Sequence, residues 1–205
     1  ADDIRRASGP FLLDPEEVRT ESLHAAGKIS QVFYEIDAGR RMAAVAQLLE
    51  HYQPVSTLAF CNTKAACREL AEHLAARGFS ALALHGDLEQ REREDVLIQF
   101  ANRSCSVLVA TDVAARGLDI DGLDAVVNVE LTPDPEVHVH RIGRSGRGDA
   151  TGLALSLCAP EELHRARRIE DYQRQPLEWG SLKSLKASGN GRLRAPMVTL
   201  CIQGG

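Results

Sequence analysis

From about residue 30 the chain alternates short apolar runs with segments of helical spacing. Residues 31–37 read as a strand built on Val32, Phe33, Tyr34 and Ile36, and 40–52 place Met42, Val45, Leu48 and Leu49 at helical intervals. Residues 57–61 predict a short apolar strand. The helix over 64–77 follows, with Ala66, Leu70 and Leu74 on one face and Gly78 closing it. A strand at 81–84, a charged helix at 89–101 with Val96, Leu97 and Phe100 facing inward, and strands at 106–110, 125–129 and 152–157 come next, then a helix at 160–172. The alternation His138-Val139-His140 is compatible with one strand face carrying both histidines. Short apolar strands with intervening helices mean βαβ units, so the fold class is α/β, a mainly parallel sheet with helices on both faces. Chemistry in such sheets sits in loops beyond the strand carboxyl ends. Residues 61–64, 85–87 and 110–112 are loops of that kind.

The pattern fades at both ends. Residues 1–25 carry little periodicity and 179–195 read as an exposed linker rich in Ser, Lys, Gly, Asn and Arg. Residues 196–205, with Met197-Val198-Thr199-Leu200-Cys201-Ile202, resemble the cut start of another module. The single domain is expected over 26–178, an extent that 205 residues with 44% apolar content can support. The chain starts without Met, which points to a piece of a longer protein, and it shows no apolar signal core or membrane-length run. Cytoplasm is therefore the expected location, with no membrane partner.

Charge complicates the functional picture. A net charge of −5 argues against a strongly basic nucleic-acid surface, but Arg141, Arg144 and Arg147 form a local basic cluster, with Arg116 in a second segment. The five cysteines contain no Cys-x-x-Cys pair and read as small buried hydrophobes; no metal site is expected.

Four segments carry candidate chemistry. In His140-Arg141-Ile142-Gly143-Arg144-Ser145-Gly146-Arg147 the glycines permit tight turns, and two guanidiniums three residues apart can address one triphosphate. The plainer alternative is a solvated basic loop. In Thr111-Asp112-Val113-Ala114-Ala115-Arg116-Gly117-Leu118-Asp119-Ile120 a threonine at a helix start can hold an anion and Asp119 can accept from a ribose; capping, or pairing with Arg116, is equally open. His85-Gly86-Asp87 followed by Gln90 and Arg93 offers backbone N–H groups and an i, i+3 pair, against the reading of a salt-bridged face. In Phe60-Cys61-Asn62-Thr63, Asn62 or Thr63 suits an N-cap. The chain has no Gly-x-x-x-x-Gly-Lys-Ser/Thr loop and no strand ending in an Asp-Glu pair. Its arginines therefore suit a triphosphate held elsewhere.

In this order the segments resemble motifs IV, IVa, V and VI of the DEAD-box RNA helicases of superfamily 2, over roughly residues 26–175. The resemblance implies a RecA-like domain that pairs with a first RecA-like domain. That first domain holds ATP with Mg²⁺, and residues 1–25 resemble its tail and the hinge. It implies Arg144 and Arg147 as catalytic arginine fingers. It places Asp119, Gly117 and Arg116 at the nucleotide, Gly117 also bordering RNA. Asn62, Thr63, Gly86, Gln90, Arg93 and Thr111 would lie along the RNA backbone, and His140 and Asp112 would couple the two sites. The segments 85–91, 134–140 and 199–205 are further similar to the DbpA-like bacterial subfamily. That similarity implies ribosomal RNA as partner, large-subunit ribosome assembly as the task, and a C-terminal RNA-recognition domain. The expected state is a monomer, and the fragment alone is expected to be inactive. Two competing readings remain: a non-hydrolytic RNA- or protein-binding module, and a DNA-directed relative.

Overall fold

The computed structural model describes residues 29–146 and 150–188. The expected first-domain tail and hinge, Arg147, and everything after residue 188, Cys201 included, lie outside them. The strands are β1 (Ile29–Glu35), β2 (Thr57–Phe60), β3 (Ala81–Leu84), β4 (Val107–Ala110), β5 (Ala125–Asn128), β6 (Gly152–Cys158) and β7 (Trp179–Gly180). The helices are α1 (Arg41–Tyr52), α2 (Lys64–Ala76), α3 (Gln90–Ala101), α4 (Asp112–Ala115), α5 (Pro135–Ile142), α6 (Leu163–Gln173) and α7 (Leu182–Ser188).

The strands form one sheet in the order β3-β4-β2-β5-β6-β1-β7, and every pairing is parallel. A parallel strand covered on both faces needs an unbroken apolar run, and β2, β4, β5 and β6 are buried along their whole length. On one face Tyr34, Ala59, Val127 and Leu155 pack with Leu48 of α1, Leu70 of α2, and Leu182 and Leu185 of α7. On the other, Leu58, Leu108 and Val126 meet Phe100 of α3 and Ala114 of α4, while Phe33 packs with Ile169 of α6. Helix ends follow local chemistry. The Thr63 hydroxyl caps α2, Gly78 takes φ +92° just past its end, and Asp134 caps α5 with Pro135 in its first turn.

Two expectations change here. His138 and His140 lie on α5, not on a strand, so two residues of helix turn a buried histidine into an exposed one. The stretch expected as a linker, 179–195, begins with ordered elements, although Trp179, Gly180 and Ser181 are exposed as expected. β7 pairs with β1, Trp179 stands 5.6 Å from the Phe33 ring, and α7 lays its leucines on the core while Gln47 donates to the Leu182 carbonyl at 2.7 Å. Leu182 and Leu185 supply apolar area that the polar composition around them conceals.

Candidate functional site

The register Phe60↔Ala110 and Phe60↔Asn128 brings the turns after β2, β4 and β5 to one level of the sheet. α5 delivers Arg141 into the space between them. Its buried positions His138, Arg141 and Ile142 follow the i, i+3, i+4 rule, and Arg141 is only 2% exposed. A buried guanidinium must be paired and hydrogen-bonded. Its Nε and Nη2 donate to the two carboxylate oxygens of Asp112 at 2.7 and 2.6 Å. Nη2 also donates to Asn62 Oδ1 at 2.9 Å, Nη1 donates to the Glu130 carbonyl at 2.8 Å, and the group lies 5.0 Å from the Phe60 ring centroid. Arg141 therefore does not belong to a surface basic strip. It is the bolt that joins the turns after β2, β4 and β5 to α5.

Arg144, just past the end of α5, reaches the turn after α4. Its Nη1 donates to the carbonyls of Leu118 at 2.6 Å and Ile120 at 3.3 Å, and its Nη2 to Ala115 at 3.3 Å. Asp121 stands 3.9 Å away. Gly117 at φ +76° lets this turn fold back. Asp119, between two of the carbonyls that hold Arg144, is exposed, as are Arg116 and His140. Arg116, His140, Arg141, Arg144 and Asp112 line a notch of about 100 Å³ between α4 and α5.

The remaining positions lie along the ends of β2, β3 and β4. Thr63 Oγ1 accepts from the Ala66 N–H at 3.1 Å and Thr111 Oγ1 from Ala114 at 3.3 Å, so both hydroxyls cap helices. Asn62 donates from Nδ2 to the Leu131 carbonyl at 3.2 Å while accepting from Arg141. Gly86 is exposed with open space around it, and Asp87 beside it pairs with Lys64 at 2.8 Å, which holds the Asp87 carboxyl below its usual range. Gln90 bonds Glu94 at 3.1 Å along α3, whereas Arg93 crosses to the Ala114 carbonyl at 3.4 Å. Gln90 and Arg93 thus serve different elements.

His138 stacks on Phe33 at 5.8 Å and shares a hydrogen bond with Gln31. Complete burial, and secondarily the charge of Arg141, depresses its pKa to about 3. Cys61, Cys67, Cys105 and Cys158 are buried free thiols. A hydrogen bond with Cys67, and then burial, pushes the Cys61 thiol up, which keeps it protonated. The described residues offer guanidinium donors and the Asp119 carboxylate, a set that fits part of a triphosphate and a ribose hydroxyl. They hold no cluster of three His, Cys, Asp or Glu side chains able to bind a metal ion.

Sequence reasoning missed Arg141 as the anchor, and Glu130 with it. Its position between His140 and Arg144 was visible, but its partner Asp112 stands 29 residues away.

This parallel sheet, with its motif turns gathered round Arg141, has the form of a helicase motor domain. A family profile described as "Helicase conserved C-terminal domain" matches residues 40–149, and the chain belongs to that family, in its DEAD-box branch. It is 49% identical over 202 residues to the ATP-dependent RNA helicase DbpA of Escherichia coli K12, covering 98% of this chain and 44% of that protein. It is 39% identical over 200 residues to the DEAD-box ATP-dependent RNA helicase CshA of Geobacillus kaustophilus HTA426, covering 97% and 43%. The crystal structure of a DEAD box protein from Methanococcus jannaschii superposes with a TM-score of 0.70 at 36% identity, over 77% of this chain and 43% of that one. The chain thus spans less than half the length of the curated relatives it matches.

Proposed function

We propose that this domain serves an ATP-dependent RNA helicase, supplying Arg144 and Arg147 to the γ-phosphate and part of the RNA-backbone surface. The observation that carries the reading is the bonding of Arg144 to the carbonyls of Leu118 and Ile120, on either side of Asp119. A phosphate donor and a ribose acceptor are thereby held side by side before any nucleotide arrives. Those carbonyls are neutral acceptors. A γ-phosphate presented in a closed, water-poor cleft is the stronger one, so closure draws the guanidinium across.

ATP with magnesium would be held mainly by the first RecA-like domain of the same protein, where the ion would supply positive charge to the phosphates. RNA lies along Asn62, Thr63, Gly86, Gln90, Arg93 and Thr111, read through phosphate and 2′-hydroxyl. His140, Arg116 and Asp112 link the two ligands. Similarity to an ATP-dependent RNA helicase supports RNA as the substrate; ribosomal RNA, large-subunit assembly as the task, a C-terminal RNA-recognition domain beyond residue 195 and a cytoplasmic monomer are further parts of the proposal. The module reading leaves the Arg144–Asp119 unit without a task.

ATP hydrolysis by the intact protein, measured without nucleic acid, with RNA and with DNA of the same sequence, tests this. Stimulation by RNA alone is the expected result. No stimulation, or equal stimulation by DNA, contradicts it.

A further inference from the structure

The loop from Val129 to Asp134 links β5 to α5, and its backbone anchors the site: Glu130 O receives Arg141 and Leu131 O receives Asn62. That loop is itself held from behind. Arg41, the first residue of α1, donates from Nη1 to the Val129 carbonyl and from Nη2 to Glu162 Oε2 at 3.0 Å. Glu162 accepts the Leu131 N–H on Oε1 at 3.1 Å and the Ala159 N–H on Oε2 at 2.9 Å. Arg165 adds a bond to Leu131 O at 2.7 Å. The Arg41 and Glu162 side chains are 17% and 8% exposed, and neither belongs to a segment assigned to ATP or RNA.

Such a pair costs desolvation, and a purely structural loop is held more cheaply by apolar packing. Each partner also makes a second bond to the loop backbone, which fixes the heights of Val129 and Leu131 together. The residue between them, Glu130, is the one whose carbonyl receives Arg141.

We infer that Arg41 and Glu162 are positioning residues for the site: they set the 129–131 backbone that sets Arg141, and through it α5 and Arg144. This rests on the helicase reading above. A catalytic donor misplaced by about 1 Å can cost on the order of 100-fold in rate, so an arm two contacts away can matter without touching substrate.

The test uses the intact protein with Glu162→Gln and Arg41→Lys. Glutamine keeps the shape but turns one acceptor into a donor. Lysine can reach the carbonyl or the carboxylate, not both. Tyr52→Phe, which removes the 2.7 Å Tyr34–Tyr52 hydrogen bond at the far end of α1, is the control for plain destabilisation. At a temperature where all are folded, both loop variants should lower RNA-stimulated kcat by roughly 10- to 100-fold with KM for ATP unchanged. Tyr52→Phe should leave kcat alone. Amide exchange over 129–142 should rise in the loop variants only. Wild-type kcat in both variants, or a loss that tracks melting temperature through all three, overturns the inference. Should the wild type itself show no RNA-stimulated hydrolysis, the helicase reading fails, and the exchange pattern alone decides whether the pair positions α5.

Discussion

Asp112 and Arg141 meet edge to edge, two parallel N–H···O bonds of 2.7 and 2.6 Å joining the first residue of α4 to the buried face of α5. The carboxylate keeps 29% of its side-chain surface in solvent while the guanidinium keeps 1%. A fork-to-fork pair fixes orientation as well as distance, so the turn that presents Asp119 and the helix that presents Arg144 cannot shift independently.

Removing one partner should therefore cost far more than removing both. Asp112→Ala strands a buried positive charge, and a loss of about 3–5 kcal/mol is expected in urea unfolding. Adding Arg141→Met should recover much of it. A single-variant loss no larger than that of the double variant would contradict the account of this pair.

His138 should make the domain acid-sensitive. Its folded pKa of about 3 lies below the ordinary 6.5, because burial disfavours the charged ring. Below pH 6.5 the unfolded chain binds a proton that the folded chain refuses until about pH 3, so stability falls as pH drops between those values. The slope approaches roughly 1.4 kcal/mol per pH unit. Urea midpoints for wild type and His138→Gln, followed from about pH 7 to about pH 4, should diverge in slope, with the variant flatter. Parallel curves would show that the ring is not buried neutral.

Gly152 should resist any side chain. A Cβ there would lie 2.5 Å from the Gly146 nitrogen and 2.5 Å from the Ser145 carbonyl carbon, and backbone cannot swing aside as a side chain can. Gly152→Ala is expected to cost about 1–3 kcal/mol and to lower the melting temperature. A melting temperature at or above wild type would mean that this crossing is looser than described.

Much of the sheet was legible because strands buried on both faces must be continuous apolar runs, as Leu58-Ala59-Phe60 and Val107-Leu108-Val109-Ala110 are. The histidine pair was misread because two residues two apart fit a strand as well as a helix; Asp134-Pro135 before them was the helix signal that decides. α7 was hidden by its Ser and Lys content, although Leu182 and Leu185 stand three apart. In the site, the glycine-flanked arginines were visible as candidates. What Arg141 and Arg144 touch was not, since Asp112, Leu118 and Ile120 reach them only through the fold.

The central claim is that Arg144 and Arg147 complete a triphosphate site held by another domain. The direct measurement is RNA-stimulated ATP turnover by the intact protein carrying Arg144→Ala or Arg147→Ala, with ATP and RNA affinities measured alongside. The account predicts that turnover falls by on the order of 10³–10⁵ while the folded state persists and ATP still binds. Turnover close to wild type in both variants would contradict it.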